Sequence, residues 1–447
     1  MQVDFISNQE PQIQEMLKDL GIRNVENLFQ DIPEELRLAR PTIDDGMSEY
    51  EGAKWVEFLA SQNTYPSFEN YLGAGAYEHY VPAIVSAICG KSEFLTSYTP
   101  YQAEASQGML QAIFEFQSVI CALTGMDVSN ASVYDGASAC AEAVLMAMRC
   151  QKERSKILLG FSLHPHYRAV IKQYVHGHDV QILEIPFLPS GEIDPDKLHE
   201  MLDEQVAAVL IQSPNFFGVV ENMQKIVPQA KKVGALVIQC ANPLAYGLFA
   251  SAGENGVDIA VGDSQPFGLS LNFGGPYAGY MACHQSLVRQ LPGRIVGETV
   301  DTGGKRGFVL TLQAREQHIR REKATSNICT NQALAALGSL IAMLWYGKEG
   351  IPQLALTNFQ RTSYLKKHLE NIEGVETFNT PFFNEFLVRF PGNMQRTQTL
   401  FRNAKIEPGL DMGKFYPEMQ GWMLVAVTET KSKAQLDHYL TIAGRSV

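Results

Sequence analysis

The middle of the chain alternates between two patterns of apolar residues. Short apolar runs typical of buried strands are "KILLG", "VQILEIPF", "AAVLIQSPN", "ALVIQCAN", "DIAVGD" and "YAGYMACH". Between them lie stretches with helical periodicity, namely "HPHYRAVIKQYVHG", "DPDKLHEMLD" and "NMQKIVPQAKKVG". Strands that alternate with amphipathic helices predict an α/β fold with a mostly parallel sheet. At the start of this region, "ASVYDGASACAEAVLMAM" predicts a further strand, a glycine-containing turn and a helix.

Helical patterns flank this region on both sides. Before it, "SEYEGAKWVEFLASQN" starts with Ser48 and Glu51 at capping-box spacing, and "ASQGMLQAIFEFQSVICALTG" predicts a long helix that ends at Gly125. After it, "RREKATSNICTNQALAALGSLIAMLWYG" predicts a long helix that leaves the α/β region, and a smaller α+β unit follows from about Ile351. We therefore expect three parts: a helical N-terminal segment, a large α/β domain and a small C-terminal α+β domain, at 1–90, 91–345 and 346–447.

This layout resembles the aspartate aminotransferase-like fold, which is fold type I of the pyridoxal phosphate (PLP) enzymes. Open parallel sheets bind ligands at the carboxyl ends of their strands. The turn after "ASVY" is therefore a candidate phosphate cup, because Gly136, Ala137 and Ser138 would present backbone N–H groups at the start of a helix. An ordinary strand–helix turn with a serine cap is the alternative.

Composition and charge exclude several classes of function. The chain has 447 residues, of which 45% are hydrophobic, and a net charge of -12 that argues against nucleic acid or an anionic membrane as a partner. Its 7 cysteines form no C-x-x-C pair, which indicates reduced thiols. The polar N-terminus has no signal-peptide pattern, and the most apolar run, "ALAALGSLIAMLWYG", is too short to span a bilayer. We expect a cytoplasmic protein.

Four long motifs point to one family. They are "YLGAGAYEHYVPAIV", "FLTSYTPYQAEASQGMLQAIFEFQ", "GDSQPFGLSLNFGGPYAGYMA" and "RREKATSNICTNQAL". With them the whole chain resembles the glycine cleavage system P-protein family, glycine dehydrogenase (decarboxylating), in its N-terminal-half or alpha-subunit form. The resemblance implies a heterodimer or heterotetramer with a PLP-bearing beta subunit (subunit 2), which decarboxylates glycine and passes the aminomethyl group to the lipoyl arm of H-protein.

Two positions that the chemistry of PLP requires are changed in this chain. The cofactor needs a lysine amine and a carboxylate beside its pyridine nitrogen. Where the fold places the lysine, after "DIAVGD", the chain has Gln265, and no lysine occurs from Val233 to Gly304. Where the fold places the carboxylate, at the end of the preceding strand, it has Cys240, or Gln239 or Asn242 if the register shifts slightly. An amide is not nucleophilic, and a neutral thiol does not hold a pyridinium.

We therefore predict a chain with the fold but without the chemistry, inactive alone and without covalent PLP. The PLP of the complex is expected on the partner beta subunit. The alternative is a self-sufficient aminotransferase-like or desulfurase-like enzyme with an unusual lysine. The nearest lysines after the turn, Lys305 and Lys323, lie among arginines, where an exposed cationic role is expected.

Three further polar residues allow both a functional and a structural interpretation. In the catalytic half of the family, a histidine near "LHPHYRAV" stacks on the cofactor ring, so His164 is a candidate relic of ring stacking; a histidine at a helix start is the alternative. His164 and His166 do not share a helix face, so no metal pair is predicted. Asn215, in "SPNFFGVVEN", is a strand-end residue that could preserve the geometry of a cofactor site.

The loop "SYTPYQAEASQG" is the candidate interface. It gathers polar and aromatic residues that a globular core rarely uses, and such loops are enriched at interfaces. In this fold type, dimer partners complete each other's active sites. We therefore expect a wall of the partner's active site formed by Tyr98, Tyr101, Gln102, Glu104, Ser106 and Gln107. An ordinary loop that leads into a helix is the alternative.

Overall fold

The computed structural model describes residues 8–38, 46–63, 65 and 67–446. Residues 1–7 lie outside this range, and they include part of the N-terminal sequence from which we predicted that there is no signal peptide. The chain forms two compact units, Met1–Tyr65 and Pro66–Val447. The first contains helices α1 (Glu10–Asp19) and α2 (Glu49–Ser61). Helix α2 begins with the capping box expected from Ser48 and Glu51, because each side chain accepts a hydrogen bond from the backbone N–H of the other.

The second unit contains all of the strands among the described residues. They are β1 (Glu69–Asn70), β2 (Val128–Ser129), β3 (Lys156–Gly160), β4 (Gln181–Ile185), β5 (Val206–Gln212), β6 (Leu236–Cys240), β7 (Ile259–Asp263), β8 (Gly279–Cys283), β9 (Ile295–Val300), β10 (Arg306–Thr311), β11 (Glu376–Thr377), β12 (Glu385–Arg389), β13 (Ile406–Glu407), β14 (Leu410–Asp411) and β15 (Trp422–Ala426). The α-helices of this unit are α3 (Ala83–Cys89), α4 (Ser92–Leu95), α5 (Gln107–Thr124), α6 (Gly136–Cys150), α7 (Pro165–Val175), α8 (Pro195–Met201), α9 (Met223–Lys232), α10 (Gln317–Arg320), α11 (Ala333–Leu369), α12 (Met394–Asn403) and α13 (Lys433–Ala443).

A seven-stranded sheet organises the unit, in the order β2-β8-β7-β6-β5-β3-β4. Strands β3 to β7 are mutually parallel, whereas β8 and β2 are antiparallel to their neighbours. This confirms the α/β fold with a mostly parallel sheet. The strands read as continuous apolar runs because helices cover both faces, and β7 is buried at every residue. Helix α6 lies against this sheet with most of its side chains buried.

The C-terminal part of the same unit carries a second, antiparallel sheet in the order β11-β12-β15-β14. Helix α11 leads to it and bends at Gly347, whose φ of 66° a glycine adopts without steric cost. The α+β pattern expected after Ile351 is therefore present. The three-part division at 1–90, 91–345 and 346–447 stays a prediction. Among the described residues, no helix is long and apolar enough to cross a membrane.

Three local predictions differ from the structure. The long helix predicted from Arg320 is interrupted. Arg320 ends α10, Arg321–Lys323 is a 3-10 turn, and α11 begins only at Ala333. The irregular segment between them is held by contacts with distant residues, because Arg294 donates to the Cys329 carbonyl at 2.7 Å and Ser326 donates to Glu142 at 2.8 Å. The predicted strand "ASVY" is reduced to a single bridge at Val133. The hairpin of β9 and β10 was not predicted at all.

Candidate functional site

The carboxyl ends of β6 and β7 bring the sequence-predicted positions together. The two strands are parallel neighbours, with Cys240 paired to Val261, so Cys240 ends one strand where Asp263 ends the next. Gln265 follows two residues later and is completely buried. The N-terminus of α6 lies at the same edge, since Gly136 donates to Asp263 across 3.0 Å. This is the edge of the sheet at which the fold binds its ligands.

The side-chain amide of Gln265 is fully hydrogen-bonded. Its nitrogen donates to the carbonyls of Tyr77 at 2.8 Å and of Leu269 at 2.9 Å. Its oxygen accepts from the backbone N–H of Tyr77 at 2.9 Å. A glutamine supplies both donors and an acceptor, whereas a lysine supplies donors only. Gln265 therefore joins the segment around Tyr77 to the turn that follows β7.

None of the three residues that could lie beside the pyridine nitrogen of PLP, namely Cys240, Gln239 and Asn242, is a carboxylate. Cys240 is buried beside Cys140 of α6; burial raises the pKa of the Cys140 thiol, and the contact with Cys240 adds to the rise. Gln239 donates weakly to Ser213, and the side-chain oxygen of Asn242 accepts from a backbone N–H of the next turn at 3.0 Å. None of these groups would keep a pyridine nitrogen protonated.

Two carboxylates occupy the candidate phosphate cup. Asp135 precedes α6 and accepts from the N–H of Ser138 at 2.7 Å, while Asp263 accepts from the N–H of Gly136 at 3.0 Å. Burial raises the pKa of Asp263 to about 6, although the N–H groups of Gly136 and Gln265 oppose this rise. The N–H groups of Gly136 and Ser138 belong to the candidate phosphate cup. A phosphate placed here would meet two carboxylates instead of free donors.

Tyr167 lies between the candidate stacking residue His164 and the candidate phosphate cup. Its ring stacks on His164 with centroids 4.7 Å apart and planes at 18°. A Cβ added to Gly136 would lie 2.5 Å from the Tyr167 hydroxyl. The cavity that remains beside Cys240 and Asp263 has a volume of about 30 Å³. Since a water molecule needs about 10–15 Å³ by this measure, the cavity holds about two waters.

These residues do not fit PLP. The position expected for the lysine holds a hydrogen-bonded amide, and the position expected for the ring carboxylate holds a thiol. Two aspartates accept from N–H groups of the candidate phosphate cup, and Tyr167 covers one face of His164. Both lysines considered as substitutes, Lys305 and Lys323, are exposed.

His164 is a neutral helix cap in this arrangement. Its Nδ1 accepts from the N–H of His166 at 3.1 Å, so its Nε2 carries the proton and donates to the Ala74 carbonyl at 2.9 Å. Burial lowers its pKa to about 4, which keeps the ring neutral. The relic ring-stacking role stays a prediction, and Tyr167 occupies the face of the ring that it would use.

Glu385 is a functional candidate that the sequence did not reveal. It begins β12 in the C-terminal sheet and accepts from the Tyr77 hydroxyl at 2.7 Å and from the Ala74 N–H at 2.6 Å. Burial raises its pKa to about 7, while these two hydrogen bonds oppose the rise. The segment Gly73–Tyr77 is thus held by Gln265 on one side and by Glu385 on the other. Asp135, Asp263 and Tyr167 were also missed, and only the position of Asp263 beside Gln265 could have indicated a role.

The candidate interface loop is largely exposed. Tyr98 is 75% and Tyr101 50% exposed. Arg294, which is buried, donates to the Tyr101 hydroxyl at 3.2 Å and lies under its ring, with the guanidinium carbon 5.4 Å from the ring centroid. The same guanidinium binds the Cys329 carbonyl, so it ties the loop to the extended segment before α11.

The other residues of the predicted active-site wall differ in their exposure and in their hydrogen bonds. Gln102 and Glu104 are exposed, and Ser106 is half-buried. Gln107 has a structural role, because its side-chain amide forms two hydrogen bonds with the backbone of Phe308, at 2.8 and 2.9 Å. The role of the loop as an active-site wall stays a prediction.

Asn215 closes the turn after β5. Its side-chain oxygen accepts from the N–H groups of Phe217 and Val219, and its nitrogen donates to Gly191 and Glu221. These four bonds account for the amide without any ligand. The hydrogen bonds therefore favour a structural role for Asn215.

Comparison with known proteins gives consistent results. The family model described as glycine cleavage system P-protein matches residues 3–443. The chain is 63% identical over 441 residues to a probable glycine dehydrogenase (decarboxylating) subunit 1 from Protochlamydia amoebophila (strain UWE25), covering 98% of this chain and 99% of that protein. A protein of the same name from Desulfitobacterium hafniense (strain DSM 10664 / DCB-2) is 46% identical, with 99% of each chain covered.

Solved structures agree with these relatives. The structure of a glycine decarboxylase (P-protein) of the glycine cleavage system, in inhibitor-bound form, superposes with a TM-score of 0.91 and 38% identity over 100% of both chains. A sphingosine-1-phosphate lyase from Burkholderia pseudomallei K96243 shares the fold alone, with a TM-score of 0.66 and 14% identity over 92% of this chain and 93% of that one. The expected fold type and the family resemblance are both confirmed.

Replacing Gln265 by lysine tests the role of the amide. Gln265→Lys leaves the Tyr77 N–H without an acceptor and buries a charge, so we expect a loss of roughly 1–3 kcal/mol in the free energy of unfolding. We also expect no visible absorbance from PLP bound to the new lysine. Thermal unfolding and absorbance spectra of the isolated variant measure both. Gln205→Lys, at an exposed glutamine, is the control and should be neutral. Visible absorbance with turnover in isolated Gln265→Lys would contradict this interpretation.

The raised pKa of Glu385 predicts a pH dependence of stability. The folded chain keeps a proton on Glu385 up to about pH 7, whereas an unfolded glutamate releases it near its usual value of about 4.3. Stability from this group therefore falls as pH rises through that window. Between pH 5 and 7.5 we expect the Tm of Glu385→Gln to fall less than that of the wild type. Glu418→Gln, at an exposed position, should retain the wild-type slope; equal slopes for all three proteins would refute the assignment.

Proposed function

The chain belongs to the glycine cleavage system P-protein family, and on that premise we propose that it is the non-catalytic subunit 1, the alpha subunit, of a two-subunit glycine dehydrogenase (decarboxylating). Its partner is subunit 2, the beta subunit, which carries the PLP. The pair decarboxylates glycine and transfers the aminomethyl group to the lipoyl arm of H-protein. The assembly is a heterodimer or a heterotetramer in the cytoplasm.

The observation that carries this proposal is the set of bonds around Gln265. A buried amide with every donor and acceptor satisfied is a structural element, and none of the residues that line the adjacent cavity is a lysine. Asp135 and Asp263 take the N–H groups that a phosphate would need. A chain that keeps the family's fold but fills its own cofactor pocket acts through a partner that retains the lysine.

The alternative, a self-sufficient PLP enzyme with an unusual lysine, is not favoured. Lys305 and Lys323 are exposed and would have to reach a pocket with room for about two waters. The close relatives are named as subunit 1 of glycine dehydrogenase and not as aminotransferases or desulfurases.

The contribution of this chain to the complex is structural. We assign the loop of Tyr98, Tyr101, Gln102, Glu104, Ser106 and Gln107 to the wall of the partner's active site. The exposed aromatic rings of Tyr98 and Tyr101 and the bond from Arg294 that orients Tyr101 support this role. A loop held by a buried arginine is ordered before it meets a partner, which lowers the entropic cost of association.

Reconstitution tests the proposed function. Glycine-dependent CO₂ exchange is measured with H-protein and with this chain, with subunit 2, or with both. We expect no exchange from this chain alone and a large gain when both chains are present, because only subunit 2 has the lysine and only the pair has a complete site. Activity from this chain alone would refute the proposal. If subunit 2 alone were as active as the pair, this chain would make no contribution to the activity.

Substitutions in the interface loop test its role as a wall. Tyr101→Ala and Glu104→Ala should lower the activity of the assembled enzyme at least about tenfold and change the Tm of the isolated chain little, because both side chains are exposed. Exchange assays at saturating subunit 2 and thermal unfolding provide the comparison. Arg168→Met, which removes a buried arginine that binds Glu184 and Tyr416, is a control that should lower Tm more than activity. A large loss of Tm with normal activity per complex would make the loop purely structural.

A further inference from the structure

The turn after Gln265 presents one fully exposed aromatic side chain. Phe273 is 97% exposed, the largest exposed fraction among the large hydrophobic residues of the described chain. Its backbone has a φ of 55°, in the left-handed region that a bulky residue adopts only at a steric cost. No aromatic ring among the described residues contacts it. The ring therefore contributes almost nothing to the packing of this chain, although the backbone beneath it is strained.

The turn is held in place from beneath. Gln265 donates to the Leu269 carbonyl at 2.9 Å, and Tyr277 donates to the Leu271 carbonyl at 2.8 Å. The Gly274 N–H also donates to Leu271 at 2.9 Å, and Ser270 donates to the Asn272 side chain at 2.7 Å. These bonds fix the turn before any partner binds. The strain at Phe273 is thus imposed by the surrounding structure, which is the pattern found at binding sites.

The surroundings of Phe273 indicate the chemistry of what covers it. The turn from Leu269 to Tyr277, "LSLNFGGPY", contains no charged residue in a chain of net charge -12. The cores of protein interfaces are depleted in charge and enriched in aromatic anchors. The turn also lies at the carboxyl edge of the sheet, where the chain's own cofactor pocket is filled by Asp135, Tyr167 and Asp263.

We propose that Phe273 is an anchor that inserts into an apolar pocket of subunit 2, an inference that rests on the proposed function. A rigid aromatic side chain on a fixed turn loses little conformational entropy on docking, and such residues dominate binding energies. Gln265 has a second role in this arrangement, because its side-chain amide also binds the start of the turn that carries Phe273.

Glycine at this position separates binding from folding. Phe273→Gly removes the ring and relieves the positive φ, so the Tm of the isolated chain should stay equal or rise, while the Kd for subunit 2 should rise at least about tenfold. Phe273→Leu, which keeps an apolar side chain, should bind within about threefold of the wild type. Lys405→Gly is the matched control: Lys405 also has a positive φ, 59°, and is exposed. It should raise Tm similarly and leave the Kd unchanged.

Each of the other outcomes overturns the inference. Wild-type affinity of Phe273→Gly for subunit 2 would show that the ring is not an anchor, while the proposed function would stand. A fall in Tm with Phe273→Gly would show that the ring serves the folding of this chain. A change only in the self-association of this chain would assign the ring to a contact between copies. If the wild-type chain and subunit 2 do not associate at all, the proposed function fails first and this inference fails with it.

Discussion

The buried amide of Gln265 is the interaction on which the rest of the site depends. It connects the carboxyl end of β7, the segment around Tyr77 and the turn that begins at Leu269. Without it, the N–H and carbonyl of Tyr77 and the carbonyl of Leu269 would lose these partners, and an unpaired backbone group in the interior costs about 1–3 kcal/mol. The sequence predicts the reactive amine of a PLP enzyme at this position. The amide found there instead pairs backbone groups of Tyr77 and Leu269.

Several side chains of this chain fill the space at this edge of the sheet where a ligand would be expected. The N–H groups that begin α6 bind anions in any case, because a helix N-terminus carries partial positive charge. In this chain the anions are the side chains of Asp135 and Asp263. Tyr167 fills the remaining volume against His164. A pocket filled by covalently attached groups is stable without a ligand, which suits a subunit that supports its partner's chemistry.

Buried side chains hold the segments that surround the filled pocket. Glu385 and Gln265 fix Gly73–Tyr77 from the two sheets of the second unit, and Arg294 fixes Tyr101 from below. Among the exposed rings, Tyr101 is oriented by Arg294, and Phe273 stands on a turn that the Tyr277 hydroxyl holds. Rigid supports with exposed aromatic groups are the arrangement that favours tight association.

The sequence by itself determined the fold class, most strand and helix positions, and the absence of a lysine and a carboxylate at Gln265 and Cys240. Strand–helix alternation is a local periodicity, and the chemical identity of a residue needs no coordinates. Only the tertiary structure decided what fills the pocket, because those contacts join distant residues: Asp263 reaches Gly136 across 127 positions, and Glu385 reaches Tyr77 across 308. The same reason explains the wrong helix start, since Arg294 binds the Cys329 carbonyl in an irregular segment that local propensity alone assigns to a helix.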